Sequence, residues 1–294
     1  MKKILLTGGS GFIGRNVIDY YKDSKDYQIF APSSKELDCT NQNAVYECLK
    51  SNKFDYVFNF AVYGDGIDKS KDGTKMLEYN LRMYHNFAEH SDLYDKMIYL
   101  GSGAEYNKQY PICSVKEVDI GKTIPVDQYG LMKYTVNSLI EKSLNIYNFR
   151  LFGIFGKYEI WYRRFISNIC CKSLFGLPLT IRQNVYFDYL FIEDFLQILD
   201  KFLKIQHPKF HSYNVVSGKR IDLLSLCNCL NEITGISNRI IVCNEGLGNE
   251  YTAANERINN ECDINYTPIE VSMKKMLDYY KAIKEKLDIT NLIY

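Results

Sequence analysis

The feature that most constrains this chain is its opening stretch, MKKILLTGGSGFIGRN. An apolar run, Ile4-Leu5-Leu6, leads straight into glycines at positions 8, 11 and 14, and Gly9 to Gly14 fits the pattern G-x-G-x-x-G. A buried strand followed by such a turn and a helix has few uses. The first glycines permit positive φ in a tight turn, the middle one lets backbone approach a pyrophosphate, and the last lets helix and strand pack closely. The expected ligand surface is Gly8, Gly11, Phe12, Ile13 and Gly14, with a pyrophosphate on the exposed amides of the helix N-terminus.

The rest of the chain repeats that opening theme. Apolar strand patterns at 3–7, 27–31, 54–61, 96–102 and 148–154 alternate with helical patterns after the turn and at 44–51, 77–89 and 129–144. Apolar strands separated by helices predict an α/β fold, a parallel sheet covered on both faces. Beyond residue 154 the pattern loosens. Residues 160–184 read as a helix then a strand, and 185–203 as a strand feeding a helix. Helices at 222–234 and 270–286 bracket a strand at 239–243, and 244–268 reads as irregular. With no repeat or linker, the expected division is a dinucleotide-binding Rossmann domain over 1–154, with 185–204 returning to it. A smaller, interleaved α/β substrate domain takes 155–184 and 205–294.

At 294 residues the chain is long enough for such a core. Its 36 Lys+Arg against 35 Asp+Glu give no basic excess to attract nucleic acid. No apolar run is long enough for a membrane span, and the three apolar residues before Thr7 are too few for a signal core. Nine scattered cysteines without zinc-type spacing read as reduced thiols of a cytoplasmic protein, with no metal site expected.

The cofactor type is read after the second strand, where an acid would grip the ribose diol of NAD. That neighbourhood holds Pro32-Ser33-Ser34-Lys35. Small hydroxyls and a cation suit a ribose 2′-phosphate, so Ser33 and Lys35 point to NADP(H), with NAD(H) the alternative and Glu36 near enough to reach back.

The chemistry is read from Tyr129-Gly130-Leu131-Met132-Lys133, which puts a phenol and an ammonium on one helical face. A nearby cation favours the phenolate and lowers a tyrosine pKa toward working range. Among 25 tyrosines the spacing alone is weak, and Tyr280 with Lys284 repeats it. Position strengthens it. Ser102 ends the strand 96–102, at the edge where parallel sheets hold ligands, and its hydroxyl can donate to a carbonyl oxygen while Tyr129 passes the proton.

The combination of Thr7–Gly14, Asn59-Phe60-Ala61, Asn80, Ser102-Gly103-Ala104-Glu105-Tyr106 and Tyr129-x-x-x-Lys133 resembles the extended short-chain dehydrogenase/reductases, the NAD(P)-dependent nucleotide-sugar epimerases, dehydratases and reductases. The pattern is nearest to the 4-keto-sugar reductases. The resemblance implies Tyr129 as general acid/base, Lys133 on the nicotinamide ribose, and Ser102 orienting the substrate oxygen. It also implies Phe60 and Ala61 lining the cofactor, Asn80 steadying the active-site backbone, and Asp38 near the adenine. The partner it implies is a nucleoside-diphosphate sugar, with Arg163 and Arg182 as candidate diphosphate ligands. Helices 77–89 and 129–144 are those that would build a homodimer. Phe187 stands where the family usually has arginine.

The resemblance leaves three readings. The first is an NADP(H)-dependent reductase of a nucleoside-diphosphate 4-keto-(6-deoxy)-sugar serving surface polysaccharide, with Tyr129 donating the proton. The second is an NAD-dependent 4-epimerase, and the third is a non-catalytic cofactor-binding scaffold. Gly103-Ala104 after Ser102 lacks the Asp-Glu pair of the 4,6-dehydratases, and Ala104 lacks the cysteine of the fucose-synthase branch.

Overall fold

The structure, a computed structural model, describes residues 1–64 and 72–292. In chain order, β1 (Lys2–Thr7), α1 (Phe12–Tyr21), β2 (Tyr27–Phe30), α2 (Gln42–Asn52), β3 (Tyr56–Asn59), α3 (Met76–Ala88) and β4 (Lys96–Ser102) alternate strictly. Then come β5 (Ile112–Val115), α4 (Gln128–Ile140), β6 (Ile146–Leu151), β7 (Gly153–Phe155), α5 (Phe165–Leu174), β8 (Leu179–Asn184), β9 (Tyr186–Phe191) and α6 (Ile192–Lys204). The last third holds β10 (Ser212–Val215), β11 (Arg220–Asp222), α7 (Leu223–Thr234), β12 (Ile240–Leu247), β13 (Tyr251–Ala253), α8 (Glu256–Cys262) and α9 (Ile269–Ala282).

Six strands form one sheet in the order β10-β6-β4-β3-β1-β2, every pair parallel. Successive side chains of a strand face opposite sides, and the core divides accordingly. Leu5, Val57 and Met97 pack with Val45 and Leu49 of α2, Phe87 of α3 and Val136 of α4. Ile4, Leu6, Phe58 and Ile98 pack with Val17 of α1 and Phe195 and Leu199 of α6. Helices thus cover both faces, the doubly wound Rossmann arrangement expected from the alternation. β1 lies between β2 and β3, so the strand order reverses there and opens a crevice at the carboxyl ends.

Two expectations need correction. The sixth strand of the parallel sheet is Ser212–Val215, inside the 205–294 stretch assigned to the substrate domain. The stretch 244–268 is not irregular, because β13 and α8 lie within it. β13 is part of a second sheet, β11-β9-β13-β5, with β7 also paired to β9. β8 and β12 pair separately. Among the described residues no helix is long and apolar enough to cross a membrane.

Candidate active site

The glycine turn is shaped by close approaches. Gly8 has φ +73°, and a Cβ on it would stand 2.9 Å from the Ala61 backbone nitrogen. A Cβ on Gly14 would overlap the Gly8 carbonyl. The turn is drawn onto the end of β3 by Thr7, whose hydroxyl oxygen accepts the N–H groups of Phe60 and Ala61, each at 3.0 Å. Gly11 caps α1 in extended backbone with no side chain bonded across the helix end. The leading amides of Phe12, Ile13 and Gly14 are therefore left to a ligand, and a pyrophosphate fits amides presented by a turn so tight that a Cβ at Gly8 or Gly14 would strike neighbouring backbone.

At the end of β2, the Glu36 carboxylate reaches back to accept both the N–H and the O–H of Ser33, each at 2.8 Å. These bonds hold its pKa below the usual carboxylate range. Lys35 is exposed on the same turn. Asp38 uses its carboxylate on the Thr40 N–H and O–H, at 2.9 and 2.7 Å. Asn80 accepts the Tyr63 N–H at 2.9 Å and donates to the carbonyls of Tyr63 and Met76. Its amide clasps the loop after β3 to α3, so its effect on a cofactor runs through backbone.

Ser102 and Thr7 end parallel strands separated only by β3; Thr7 is in register with Asn59 and Tyr99, so Ser102 stands three residues further along β4 at the same carboxyl edge. After Ser102 the chain makes a short 3-10 turn, Gly103–Tyr106, closed by a reciprocal cap. Ser102 Oγ accepts the Ala104 N–H at 3.2 Å, and Glu105 Oε1 accepts the Ser102 N–H at 3.0 Å. α4 docks on this turn through Gly130, where a Cβ would stand 2.8 Å from the Ala104 carbonyl oxygen. Asp127 caps α4 by accepting the Gly130 N–H at 2.9 Å, an interaction worth about 1 kcal/mol. These contacts carry Tyr129 and Lys133 to the carboxyl end of β4.

Lys133 is buried, and its Nζ donates to the Leu100 carbonyl at 2.6 Å and the Tyr99 hydroxyl at 3.0 Å. An ammonium has three donors, so one remains for a ligand. Burial lowers the Lys133 pKa to about 8, against the pull of Glu105. Its Nζ lies 5.7 Å from the Tyr129 ring centre, and Lys108 Nζ lies 5.9 Å from the same ring. Two cations thus lie within 6 Å of the Tyr129 ring centre.

Below the turn lies a network that sequence reasoning missed. Arg150 and Glu105 are fully buried and pair at 2.7 Å. Arg150 also donates to the Tyr106 hydroxyl, to Asn214 Oδ1 and to Asn137 Oδ1 at 3.0–3.1 Å. Removing one partner would strand the other charge, at a cost of about 3–5 kcal/mol. The visible signal was a charged residue inside the apolar strand NFRLFGI. Tyr251, whose hydroxyl stands against Gly103, was also missed, and no local pattern marked it. Arg163 is exposed in the loop before α5, over the Tyr162 ring, and Arg182 is exposed on β8. Neither stands on an element that carries Ser102, Tyr129 or Tyr251.

Residues 4–215 match the model of the NAD dependent epimerase/dehydratase family. The chain is 36% identical over 109 residues to a GDP-L-colitose synthase of Yersinia pseudotuberculosis, a match that spans only 35% of that protein and 36% of this one. It is 25% identical over 267 residues to a GDP-L-fucose synthase of Azorhizobium caulinodans, covering 82% of this chain and 83% of that one. Its fold superposes on a GDP-mannoheptose C4 reductase from Campylobacter jejuni, solved with NADP bound, with a TM-score of 0.81 at 19% identity over 95% of this chain and 98% of the other.

Proposed function

We propose, on the premise that the chain belongs to the NAD-dependent epimerase/dehydratase family, that it is an NADP(H)-dependent reductase of a nucleoside-diphosphate 4-keto-sugar, with a GDP-sugar the first candidate. The observation that carries this reading is the docking of α4 on the turn after β4, which brings Ser102, Tyr129 and Lys133 together at the edge that holds the glycine cradle. GDP-sugars are the first candidates because the three relatives above are named for them.

In this reading Gly8, Gly11 and the amides of Phe12, Ile13 and Gly14 hold the pyrophosphate, with Phe60 and Ala61 along its edge. When bound, the dinucleotide supplies a hydride to C4 of the sugar. Ser102 donates a hydrogen bond to the C4 oxygen and fixes its position. Tyr129 passes its proton to that oxygen as charge develops. Lys133 keeps one N–H for the cofactor ribose and makes the phenol a better acid. Ser33 and Lys35 receive the 2′-phosphate, which requires Glu36 to release Ser33. Arg163 and Arg182 remain proposals for the substrate diphosphate, as do a homodimer and a place in making surface-polysaccharide sugars.

A second reading, a 4-epimerase retaining NAD(H), is favoured by one observation. The Glu36 carboxylate sits at the end of β2, where an acid suits a ribose diol. Purified protein mixed with NADPH or NADH and a panel of nucleoside-diphosphate 4-keto-sugars separates the two. Stoichiometric loss of NADPH absorbance supports the reductase. Isomerised product without net oxidation supports the epimerase. No turnover and no nicotinamide binding would overturn both.

A further inference from the structure

The turn that carries Ser102 and the helix that carries Tyr129 share a support, strand β6. It pairs with β4 so that Asn148 stands beside Tyr99 and Arg150 beside Gly101. These alternate residues point to one side of the sheet. On that side they meet Glu105 of the turn and Asn137 of α4, and all four side chains are buried. Gly101 makes the space, because a Cβ there would strike Glu105 Oε1 and Asn148 Oδ1.

Both β6 side chains reach in two directions. Arg150 Nε donates to Glu105 Oε2 at 2.7 Å, while its Nη2 donates to Asn137 Oδ1 at 3.0 Å. Asn148 Nδ2 donates to the same carboxylate at 3.2 and 3.3 Å and to the same Asn137 oxygen at 2.8 Å. The far ends of these bonds lie at the candidate site. Glu105 Oε1 accepts the N–H of Ser102 itself, at 3.0 Å. Asn137 follows Tyr129 and Lys133 at four-residue steps, so the three share one face of α4.

Stability alone does not account for this arrangement. A buried ion pair loses in desolvation about as much as it gains in attraction, and well-packed apolar side chains of similar volume often serve stability as well or better. What apolar side chains lack is direction. Two donors that must meet one substrate oxygen need a fixed separation, and a misplacement of about 1 Å can cost about 100-fold in rate.

We propose that Arg150 is a positioning residue that, with Asn148, braces the Ser102 turn against α4 and so sets the separation of the Ser102 and Tyr129 hydroxyls. This rests on the reading of Ser102 and Tyr129 as the two groups that meet one substrate oxygen. Arg150 acts through Glu105 and Asn137, not by contact with substrate.

Two variants test it. Glu105→Leu combined with Arg150→Met removes both charges together, so neither is stranded, and puts apolar volume in place of the bonds. Asn137→Leu cuts the tie to α4 and leaves the ion pair. Melting temperature, NADPH affinity, KM and kcat are measured for each, the kinetics well below melting and on the 4-keto-sugar that the panel identifies. Each variant should keep NADPH affinity and KM while kcat falls by about 10- to 100-fold. In the Tyr129→Phe background either change should cost little further, because the separation it disturbs no longer matters. An unchanged kcat, or an equal loss in both backgrounds, overturns the proposal, since a merely structural defect lowers every activity by the same factor. Crystal structures of wild type and Asn137→Leu with NADP+ give a readout that needs no substrate. The distance from Ser102 Oγ to Tyr129 Oη should differ between them by about 0.5 Å or more. An unchanged distance overturns the proposal even where the panel yields no turnover and the reductase reading has itself failed.

Discussion

The proposed cofactor cradle and the proposed substrate wall, the second sheet beside the turn after Ser102, are built in different ways. The cradle is local. One strand, one turn and one helix within residues 2–21 supply it, and glycines fix its shape because backbone passes against backbone. The wall is assembled from afar. β5, β9, β11 and β13 contribute three to six residues each, from positions 112 to 253. Only their register puts Tyr251 and Phe187 side by side. Damage to the cradle should therefore be read in cofactor affinity, and damage to the wall in turnover at constant cofactor affinity.

Tyr129 stands between the two, and its removal has the largest expected effect. Tyr129→Phe should lower kcat by about 10²–10⁴-fold, the usual contribution of a positioned acid/base, with NADPH binding intact by fluorescence titration. Unchanged turnover would remove Tyr129 from its proposed role. Gly14→Ala comes next, since its Cβ overlaps the Gly8 carbonyl. Overpacking of this kind costs about 1–3 kcal/mol, so NADPH affinity should fall by roughly 5- to 150-fold. Gly103→Ala is its counterpart on the wall, displacing the Tyr251 phenol. It should cost about tenfold in kcat, because the overpacked turn is the one that carries Ser102, with NADPH affinity kept. If Gly103→Ala weakens NADPH binding as much as Gly14→Ala does, the two regions are not separable as described.

The same contrast explains what could be read from the sequence. Apolar strand runs and the helix-strand alternation show in local windows, and so do five strands of the parallel sheet. Ser102, Tyr129 and Lys133 were legible because one strand end and one helical spacing hold them. The sixth strand was not. Its Ser212 and Asn214 are polar yet fully buried, and their partners are Asn137, Tyr106 and Arg150, which no window around residue 212 contains. β5 and β13 are too short for a period-2 pattern to register. Asn80 was expected on a helix, steadying backbone at the site, but which atoms its amide bonds depends on a backbone path that residue types do not specify.

A smaller effect probes the seam between the regions. The loop after β7 is clamped to α1 by Asn16, which donates to the Lys157 carbonyl at 2.8 Å, and by the Tyr158 hydroxyl donating to Asp19 at 2.6 Å. The next residue, Glu159, is buried. It bonds to Ser167 of α5, which also takes the Tyr280 hydroxyl of α9. Burial raises the Glu159 pKa to about 8, with the Ser167 bond opposing. The unfolded chain ionises this group from about pH 4.5 upward, while the native protein keeps it protonated to about 8. Native stability should therefore fall across that window. Glu159→Gln removes the titration. Its melting temperature should exceed that of wild type by about 5 °C at pH 8.5, with the gap closing at pH 4.5. A gap that persists at pH 4.5 would assign the effect to packing instead of charge.

The smallest expected signal, less than one proton, tests the cradle's link to the helix that carries Tyr129 and Lys133. Lys133 has a pKa of about 8 in the free protein, chiefly because burial disfavours its charge. Two of its three donors are already given to Leu100 and Tyr99. In the proposed reading a bound dinucleotide would bring phosphate charge and a ribose acceptor to the third, and both favour the ammonium. Its pKa must then rise on binding, so between pH 8 and 9 a fraction of the Lys133 population takes up a proton as NADPH binds. Calorimetry in two buffers of different ionisation enthalpy measures that uptake directly. It should approach zero below about pH 7, where Lys133 is already charged, and vanish in Lys133→Met. Uptake that survives in Lys133→Met would place the titrating group elsewhere and leave the third donor of Lys133 without its proposed ligand.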